Sequence, residues 1–391
     1  MKRISLVFGA ALVIGAAPPP GPQANYWMDV ATSSGMGAGL TRGGTQPSMA
    51  QIQAMMHGGS GGAQHSLNLY LASKSKAATP EAQHLIPPGM QMGPSLPLVA
   101  PPASAPERST PGEFQRPQGR MLIYWGCGEH AGAGQPTVVD FAKIAPGQMP
   151  PGFASMVSAV HAAQPPHAGQ SAGYGEWPNN KDLRTVPAAA SLVGAHKVEG
   201  NYSPPIAFSL GAGQDFMPAL GLREGGSLPS GAIPLSWTPA SQATGYALSM
   251  FGGTESGDVI VWTSANKAAA FPNMDYLSPS QVRPLVASGA ALAPSANQCT
   301  VPAEVVRASP AGMVMMIGYG PEADFSDKPK TPTWTVRARY KTTASLMLGM
   351  GGMFGDSGDG QPQAQQPDPQ QQPKKKRRGF GLGDILQAVP H

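Results

Sequence analysis

Residues 234–249 read PLSWTPASQATGYALS, and this pattern predicts parts of two successive β-strands. It spans the end of one apolar segment, Ile233–Thr238, and the start of a second, Gly245–Phe251. Short runs rich in β-branched and aromatic residues, bounded by Gly, Pro or Ser, are typical of β-strands. Three further runs of this kind follow at Asp258–Thr263, Gly312–Tyr319 and Thr333–Tyr340. Several short strands separated by turn signals predict a β-sandwich.

The same stretch resembles the second and third strands of a fibronectin type III-like domain. Trp237 and Tyr246 match two core positions of that family, one in a Trp-bearing strand and one in the following Gly-Tyr strand. The resemblance implies a fibronectin type III-like sandwich over residues 223–345. Ala268–Ala308 is longer than such a domain needs between strands, and we expect one or two short helices within Ser278–Ala308. This architecture hosts many roles, so the resemblance implies no single function.

The N-terminus has the layout of a secretory signal peptide. Lys2 and Arg3 precede the apolar run Ile4–Ala17, and three prolines follow it. This order of a basic segment, an apolar segment and helix breakers is typical of such leaders. The run is shorter than the roughly 20 residues that cross a bilayer. We therefore expect export to the periplasm or cell envelope, and the chain as a whole resembles an exported proteobacterial protein.

Composition favours short strands joined by long loops. The 391 residues include 50 Gly and 43 Pro, and only 12% are charged, compared with about 25% in an ordinary globular domain. The fold class predicted is mainly β: a fibronectin type III-like sandwich, a second irregular β-unit, and long disordered linkers and tail. The predicted divisions are a signal peptide (1–24), a flexible segment with a short helix (25–63), an irregular β-unit with a Pro-rich insertion (64–222), the sandwich (223–345) and a disordered tail with a basic-apolar end (346–391).

Several patterns within these divisions predict individual elements. Residues 26–46 carry no sustained periodicity, and Pro47–His57 has the apolar spacing of a short helix. Residues 87–118 and 146–187 are rich in Pro and predict extended, irregular chain. Strands are also predicted at Gln64–Ser73 and Gly119–Cys127, and a further pair of short strands at Lys197–Leu210 and Phe216–Leu222. Thr137–Ile144 fits either a strand or a short helical turn.

Positive charge is concentrated in the tail. The chain has a formal net charge of +4, yet five basic residues are consecutive: Lys374, Lys375, Lys376, Arg377 and Arg378. Without them and the leader, acidic residues outnumber basic ones. In an exported protein such a cluster, followed by Phe380, Leu382, Ile385 and Leu386, favours an anionic membrane surface or an envelope protein as partner, and not nucleic acid. The sequence does not set the oligomeric state.

The two cysteines, Cys127 and Cys299, predict one disulfide in an oxidising compartment, with two separate buried thiols as the alternative. Cys127 also begins the sequence Cys-Gly-Glu-His, in which Glu129 and His130 bring an acid and a base close to a sulfur. An activated cysteine needs such neighbours. An exported hydrolase that uses this region is therefore an alternative function.

Methionines offer a further alternative. Met347, Met350 and Met353 stand at three-residue intervals, and thioethers suit Cu(I), so a periplasmic copper-binding protein is a second alternative function. Phosphate loops, His-Glu-x-x-His and Cys-x-x-Cys motifs are lacking in the sequence. The leading prediction is an exported cell-envelope protein with a non-catalytic binding or structural role, and with no cofactor.

Overall fold

The computed structural model describes residues 21–35, 63–102, 119–143, 160–268, 272 and 274–349. Within these residues the chain is mainly β, as the sequence predicts. The strands are β1 (Ala24–Gly35), β2 (Gln64–Ser73), β3 (Ala82–Leu85), β4 (Ser95–Leu98), β5 (Arg120–Trp125), β6 (Thr137–Asp140), β7 (Gly173–Trp177), β8 (Gly194–Gly200), β9 (Ser203–Leu210), β10 (Arg223–Glu224), β11 (Ile233–Ser236), β12 (Gly245–Gly253), β13 (Val259–Thr263), β14 (Gln298–Val301), β15 (Gly312–Ser326) and β16 (Trp334–Leu348). The helices are α1 (Pro279–Ala287) and α2 (Ala303–Ala308).

These strands form three sheets. The large sheet has nine strands in the order β6-β5-β13-β12-β15-β16-β1-β2-β7. The other two have the orders β4-β3-β8-β9 and β10-β11-β14. In the large sheet β1 pairs with β16 and β5 with β13 in parallel, whereas its other neighbours are antiparallel. The 12-residue pairing of β1 with β16 joins strands from opposite ends of the described chain.

The core lies on one face of the large sheet. Alternation along β1 buries Tyr26, Met28 and Val30, and alternation along β2 buries three leucines. These residues share one apolar cluster with Val198 of the four-stranded sheet and Leu235 of the three-stranded sheet. Successive residues of a strand point to opposite faces. The intervening residues of β1 and β2 therefore point to the outer face of the large sheet.

Part of that outer face is covered by α1. Val282 of α1 packs with Ile317 and Tyr319 of β15 in a second apolar cluster. Ser278 caps the helix: its hydroxyl accepts the Gln281 backbone N–H, and the Gln281 side chain accepts the Ser278 backbone N–H. This reciprocal arrangement satisfies two donors that a helix N-terminus otherwise leaves free. The expectation of short helices within Ser278–Ala308 is confirmed by α1 and α2.

Three parts of the prediction are wrong. The interior strand β1 begins at Ala24, the last residue of the predicted signal peptide, and continues to Gly35 through the segment predicted as flexible from residue 25. The strand was not recognised from the alternation of apolar and polar residues, because the charged residue Asp29 is buried in the middle of it. Phe216–Leu222, predicted as a strand, runs outside the sheets and fills the core with Phe216, Met217 and Leu220.

The third error concerns the two Pro-rich stretches, which contain the short strands β4 and β7. Pro97 is tolerated in β4 because that strand lies at the edge of its sheet, where a missing N–H breaks no interior ladder. By contrast, the strand predicted at Gln64–Ser73 is present with the same ends, and those predicted at Gly119–Cys127 and Gly312–Tyr319 are present with shifted ends.

The predicted divisions 64–222 and 223–345 share the large sheet, since β5 and β6 from the first lie beside β13 from the second. Residue 222 therefore does not separate two sheets, and β16 continues to Leu348, beyond the predicted start of the tail. Outside the described residues lie, among other predictions, the leader up to residue 20, the short helix at Pro47–His57 and the tail cluster Lys374–Arg378.

Candidate functional site

The pairing of β15, β16 and β1 places polar and aromatic residues in rows across the outer face of the large sheet. In each row three residues lie opposite one another on neighbouring strands. The rows are Ser326, Thr335 and Asn25; Asp324, Arg337 and Trp27; and Glu322, Arg339 and Asp29. Directly opposed residues on adjacent strands point to the same face and contact each other.

The innermost row contains a buried ion pair between strands that lie 310 positions apart in the chain. Arg339 donates from Nε to Asp29 Oδ1 at 2.8 Å and from Nη2 to Oδ2 at 2.7 Å. Both residues are 4% exposed. Burial raises the pKa of Asp29, and the hydrogen bonds from Arg339 oppose that rise. Two parallel bonds fix the geometry of such a pair, and its register, more tightly than one bond.

Aromatic rings enclose this pair. The Arg339 guanidinium carbon lies 4.8 Å from the ring centroids of both Trp27 and Tyr276. Its Nη1 also donates to the carbonyl of Ala163, in the loop that precedes β7. Lys341 lies two positions further along β16; its Nζ is 4.2 Å from the Tyr276 centroid and 3.0 Å from the Met274 carbonyl oxygen. Burial lowers the pKa of Lys341, against the opposing effect of Asp275 and Asp29.

A groove of about 600 Å³ opens beside these rows. Three strands and two loops line it. The strand residues are Asn25, Trp27, Asp324, Phe325, Ser326, Thr335, Val336 and Arg337, and the loop residues are Gln164, Pro166, Pro329 and Pro332. This volume falls within the range of small-molecule sites, about 300–1,000 Å³.

The charges at the groove are paired. Arg337 Nε lies 2.6 Å from Glu322 Oε1 and 2.9 Å from Asp324 Oδ1, and its guanidinium carbon is 5.2 Å from the Trp27 ring centroid. Burial raises the pKa of Glu322, whereas Arg337 opposes the rise. Each guanidinium of this face therefore has a carboxylate of its own.

Two amide groups of the lining are only partly engaged. Asn25 Oδ1 accepts from the Thr335 hydroxyl at 2.8 Å, and Gln164 Nε2 donates to the Ala162 carbonyl at 3.2 Å. Among contacts between described residues, the Asn25 Nδ2 and Gln164 Oε1 atoms have no hydrogen bond. The groove thus offers a donor and an acceptor next to an indole ring.

None of the residues at this site was predicted from the sequence to be functional. The available signal was the segment Arg337-Ala-Arg339-Tyr-Lys341, in which basic residues alternate with apolar ones along a predicted strand. Cations on one face of a strand need carboxylates from its neighbours, and those of Arg337 and Arg339 come from β15 and β1. Their identity depends on strand order, which the pattern of one strand does not reveal.

The predicted cysteine pair is joined in the structure. Cys127, two residues after the end of β5, forms a disulfide with Cys299 of β14, with Cα atoms 5.0 Å apart. The bond links the large sheet to the three-stranded sheet and leaves Cys127 without a free thiol. Trp237 and Tyr246, which carry the fibronectin type III resemblance, pack edge to face with centroids 5.7 Å apart nearby in the same core.

The neighbours of Cys127 form a surface turn. The His130 side chain is 66% exposed, and its Nδ1 lies 3.1 Å from Glu304 Oε1. The Ala131 backbone N–H donates to the other oxygen of Glu304 at 2.8 Å, and it is the main reason why the pKa of Glu304 is lowered to about 2. The Glu129 carbonyl accepts the Ala303 N–H at 3.0 Å. These contacts fasten the turn to α2 and do not place an acid and a base around a nucleophile.

Of the three methionines considered for copper, Met347 lies in β16 opposite Met313, and Met350 and Met353 fall outside the described residues. Copper binding stays a prediction. The part of the chain that the structure describes holds no group of three or more His, Cys, Asp or Glu residues arranged for a metal ion. None of the helices in that part is long and apolar enough to cross a membrane.

No model of a protein family matches this chain, and no curated protein matches it either. Its function must therefore be argued from its own residues.

Proposed function

We propose that this chain is an exported cell-envelope protein that binds a partner and catalyses no reaction. The observation that carries the proposal is the disulfide between Cys127 and Cys299. Disulfides persist in oxidising compartments and are rare in a reducing cytosol. The oxidised cysteine pair and the leader-like N-terminus, Lys2 to Ala17, both favour an oxidising compartment outside the cytosol.

The character of the groove favours binding over catalysis. A general acid or base exchanges a proton with the reacting group and has a pKa near the working pH. At the groove, Arg337 is held by Glu322 and Asp324, and behind it Arg339 is held by Asp29. The sulfur of Cys127, the nucleophile of the alternative hydrolase, is already bonded.

We also propose that residues 223–345 form a fibronectin type III-like sandwich, and the strand order supports this proposal. The set β10-β11-β14 and the set β13-β12-β15-β16 contribute to one apolar cluster, with Trp237 and Tyr246 in contact between them. Two antiparallel sets with aligned cores are the architecture of such sandwiches. Sandwiches of this type serve as binding or spacing modules, which agrees with a non-catalytic role.

We further propose that the tail contacts an anionic membrane surface. Each basic residue of Lys374–Arg378 contributes about 1 kcal/mol near such a surface. The apolar residues after it, among them Phe380 and Ile385, add interfacial burial. An envelope protein with an acidic surface is the competing partner for the same segment.

The test is fractionation of the protein expressed with its own leader in a Gram-negative host. We expect the wild type in the envelope fraction, and a variant with Lys374–Arg378 changed to Gln in the soluble periplasmic fraction. A variant with Lys328 and Lys330 changed to Gln is the matched control and keeps the wild-type distribution. Recovery of the unprocessed chain in the cytosol contradicts export, and unchanged fractionation of the tail variant contradicts the role of the tail.

A further inference from the structure

We propose that the groove beside Trp27 binds a neutral saccharide. This inference rests on the non-catalytic binding function proposed above and names the class of ligand. It depends on three properties of the groove: its planar polar groups, its balanced charge and the arrangement of its aromatic residues.

The first property is the chemistry of the lining. Trp27 supplies a broad apolar ring with an N–H at its edge. Around it stand the amides of Asn25 and Gln164 and the guanidinium of Arg337. The unengaged Asn25 Nδ2 donates and the unengaged Gln164 Oε1 accepts. A sugar hydroxyl both donates and accepts, while the C–H face of the sugar ring is apolar, so a saccharide fits this mixed set.

The second property is the charge balance. Residues 322–339 together with Asp29 carry four basic and four acidic side chains. They are Lys328, Lys330, Arg337 and Arg339, and Asp29, Glu322, Asp324 and Asp327. A charged ligand is attracted most strongly to a site that carries an excess of the opposite charge. Because the positive and negative groups here are equal in number and those of the floor are paired, the groove favours a ligand without net charge.

The third property separates a saccharide from a proline-rich peptide. Grooves that bind polyproline helices are lined by several aromatic residues. Here Trp27 faces the groove, whereas the ring of Phe325 packs toward Phe208 with centroids 5.4 Å apart. Pro166, Pro329 and Pro332, which contribute to the loop lining, have no backbone N–H to offer a peptide carbonyl.

The test is calorimetric titration of the purified chain with neutral oligosaccharides of glucose, mannose and N-acetylglucosamine. An oligogalacturonate and a proline-rich peptide are titrated alongside them. We expect at least one neutral oligosaccharide to bind with a Kd of about 1 mM or tighter. Trp27→Ala and Gln164→Ala are each expected to weaken that binding about tenfold or more. Gln164 lies in a loop, so its variant tests the groove even where loss of Trp27 impairs folding.

Trp125→Ala is the matched control, because Trp125 lies in β5 of the same sheet and outside the groove. It is expected to bind as the wild type does. The proposal is overturned if no neutral oligosaccharide binds at about 10 mM, if the oligogalacturonate or the peptide binds more tightly, or if Trp125→Ala weakens binding as much as Trp27→Ala.

Recovery of the oligosaccharide after titration separates this inference from the proposed function. Intact sugar together with the expected binding supports both. Cleaved sugar contradicts the non-catalytic function itself. Absence of binding, with the envelope fractionation as expected, removes only the ligand class.

Discussion

The rings of His84 and His196 meet inside the core, with Nε2 of His84 3.0 Å from Nδ1 of His196. His84 is fully buried and His196 is 2% exposed. His196 Nε2 lies 2.7 Å from the Leu192 carbonyl oxygen, so it must carry the hydrogen. His196 Nδ1 then accepts from His84 Nε2–H, and His84 Nδ1 accepts from the Tyr26 hydroxyl at 2.8 Å. The chain of bonds fixes both rings as neutral tautomers and ties β1 to the four-stranded sheet.

These linked hydrogen bonds predict that the protein loses stability in mild acid. A proton on His196 Nδ1 would face the His84 N–H, and one on His84 Nδ1 would deprive the Tyr26 hydroxyl of its acceptor. Burial lowers the pKa of both histidines in the folded state, that of His84 well below 6.5. The unfolded chain therefore binds more protons as pH falls below about 6.5, and the free energy of unfolding decreases by up to about 1.4 kcal/mol per pH unit for each histidine.

Denaturant unfolding at a series of pH values from about 7.5 to about 4.5 measures this decrease in the free energy of unfolding. His196→Gln is expected to fold less stably at neutral pH and to show a shallower dependence on pH than the wild type. His167→Gln, which replaces an exposed histidine, is the control for the effect of substitution alone. Identical pH slopes for the wild type and His196→Gln would contradict the assignment.

The Asp29–Arg339 pair predicts a large effect of breaking it from one side. Asp29→Ala leaves a buried guanidinium without its carboxylate, and we expect a loss of about 3–5 kcal/mol in the free energy of unfolding. The exposed pair Lys197–Glu199 gives the comparison: Glu199→Gln is expected to cost less than about 1 kcal/mol. The double variant Asp29→Leu/Arg339→Met should recover much of the loss, because it removes both buried charges together. A single variant as stable as the wild type would show that the pair is not buried.

The disulfide predicts sensitivity to reducing agents. Cys127 and Cys299 are 172 positions apart, so the bond restricts a long segment of the unfolded chain. Reduction should lower the free energy of unfolding by about 2–5 kcal/mol. Denaturant unfolding with and without dithiothreitol measures the difference, and the double variant Cys127→Ser/Cys299→Ser should be insensitive to the reagent. Equal stability of reduced and oxidised wild type would contradict a structural role for the bond.

A fourth prediction concerns the contact between Trp237 and Tyr246. Both rings are buried, and the Tyr246 hydroxyl accepts the Ala240 backbone N–H at 2.9 Å. Trp237→Ala should cost about 3–5 kcal/mol in the free energy of unfolding. Tyr246→Phe keeps the ring but leaves that N–H without its acceptor, and should cost about 1–3 kcal/mol. Near-neutral effects of both would argue against a sandwich core at this position.

Local patterns in the sequence were sufficient for strands whose alternation is uninterrupted. Leu67, Leu69 and Leu71 predict β2, and the apolar run at Met121–Trp125 predicts β5. Short helices within Ser278–Ala308 were also predicted, and the proline that starts Pro302–Arg307 directly precedes α2. Strands interrupted by a buried charge or by prolines were missed, since Asp29 and Pro97 are acceptable only in particular tertiary positions.

The candidate site could not be predicted from the sequence because it depends on strand order. Trp27 lies beside Arg337 only because β1 pairs in parallel with β16, and no local pattern specifies that pairing. The disulfide was predicted from compartment and from an even number of cysteines. Cys127, Glu129 and His130 suggested a catalytic site because they are close in sequence. In the structure Cys127 is bonded to Cys299, and His130 contacts Glu304.

We propose an exported binding protein with an oxidised cysteine pair, and intact mass spectrometry of the protein purified from an expressing bacterium tests both the export and the disulfide. We predict a chain that lacks the N-terminal leader and is lighter by two hydrogens than the same chain after reduction. The same sample should react with a thiol-alkylating reagent only after unfolding and reduction. A chain that retains Met1–Ala17 and carries two alkylatable thiols in the native state would contradict the claim.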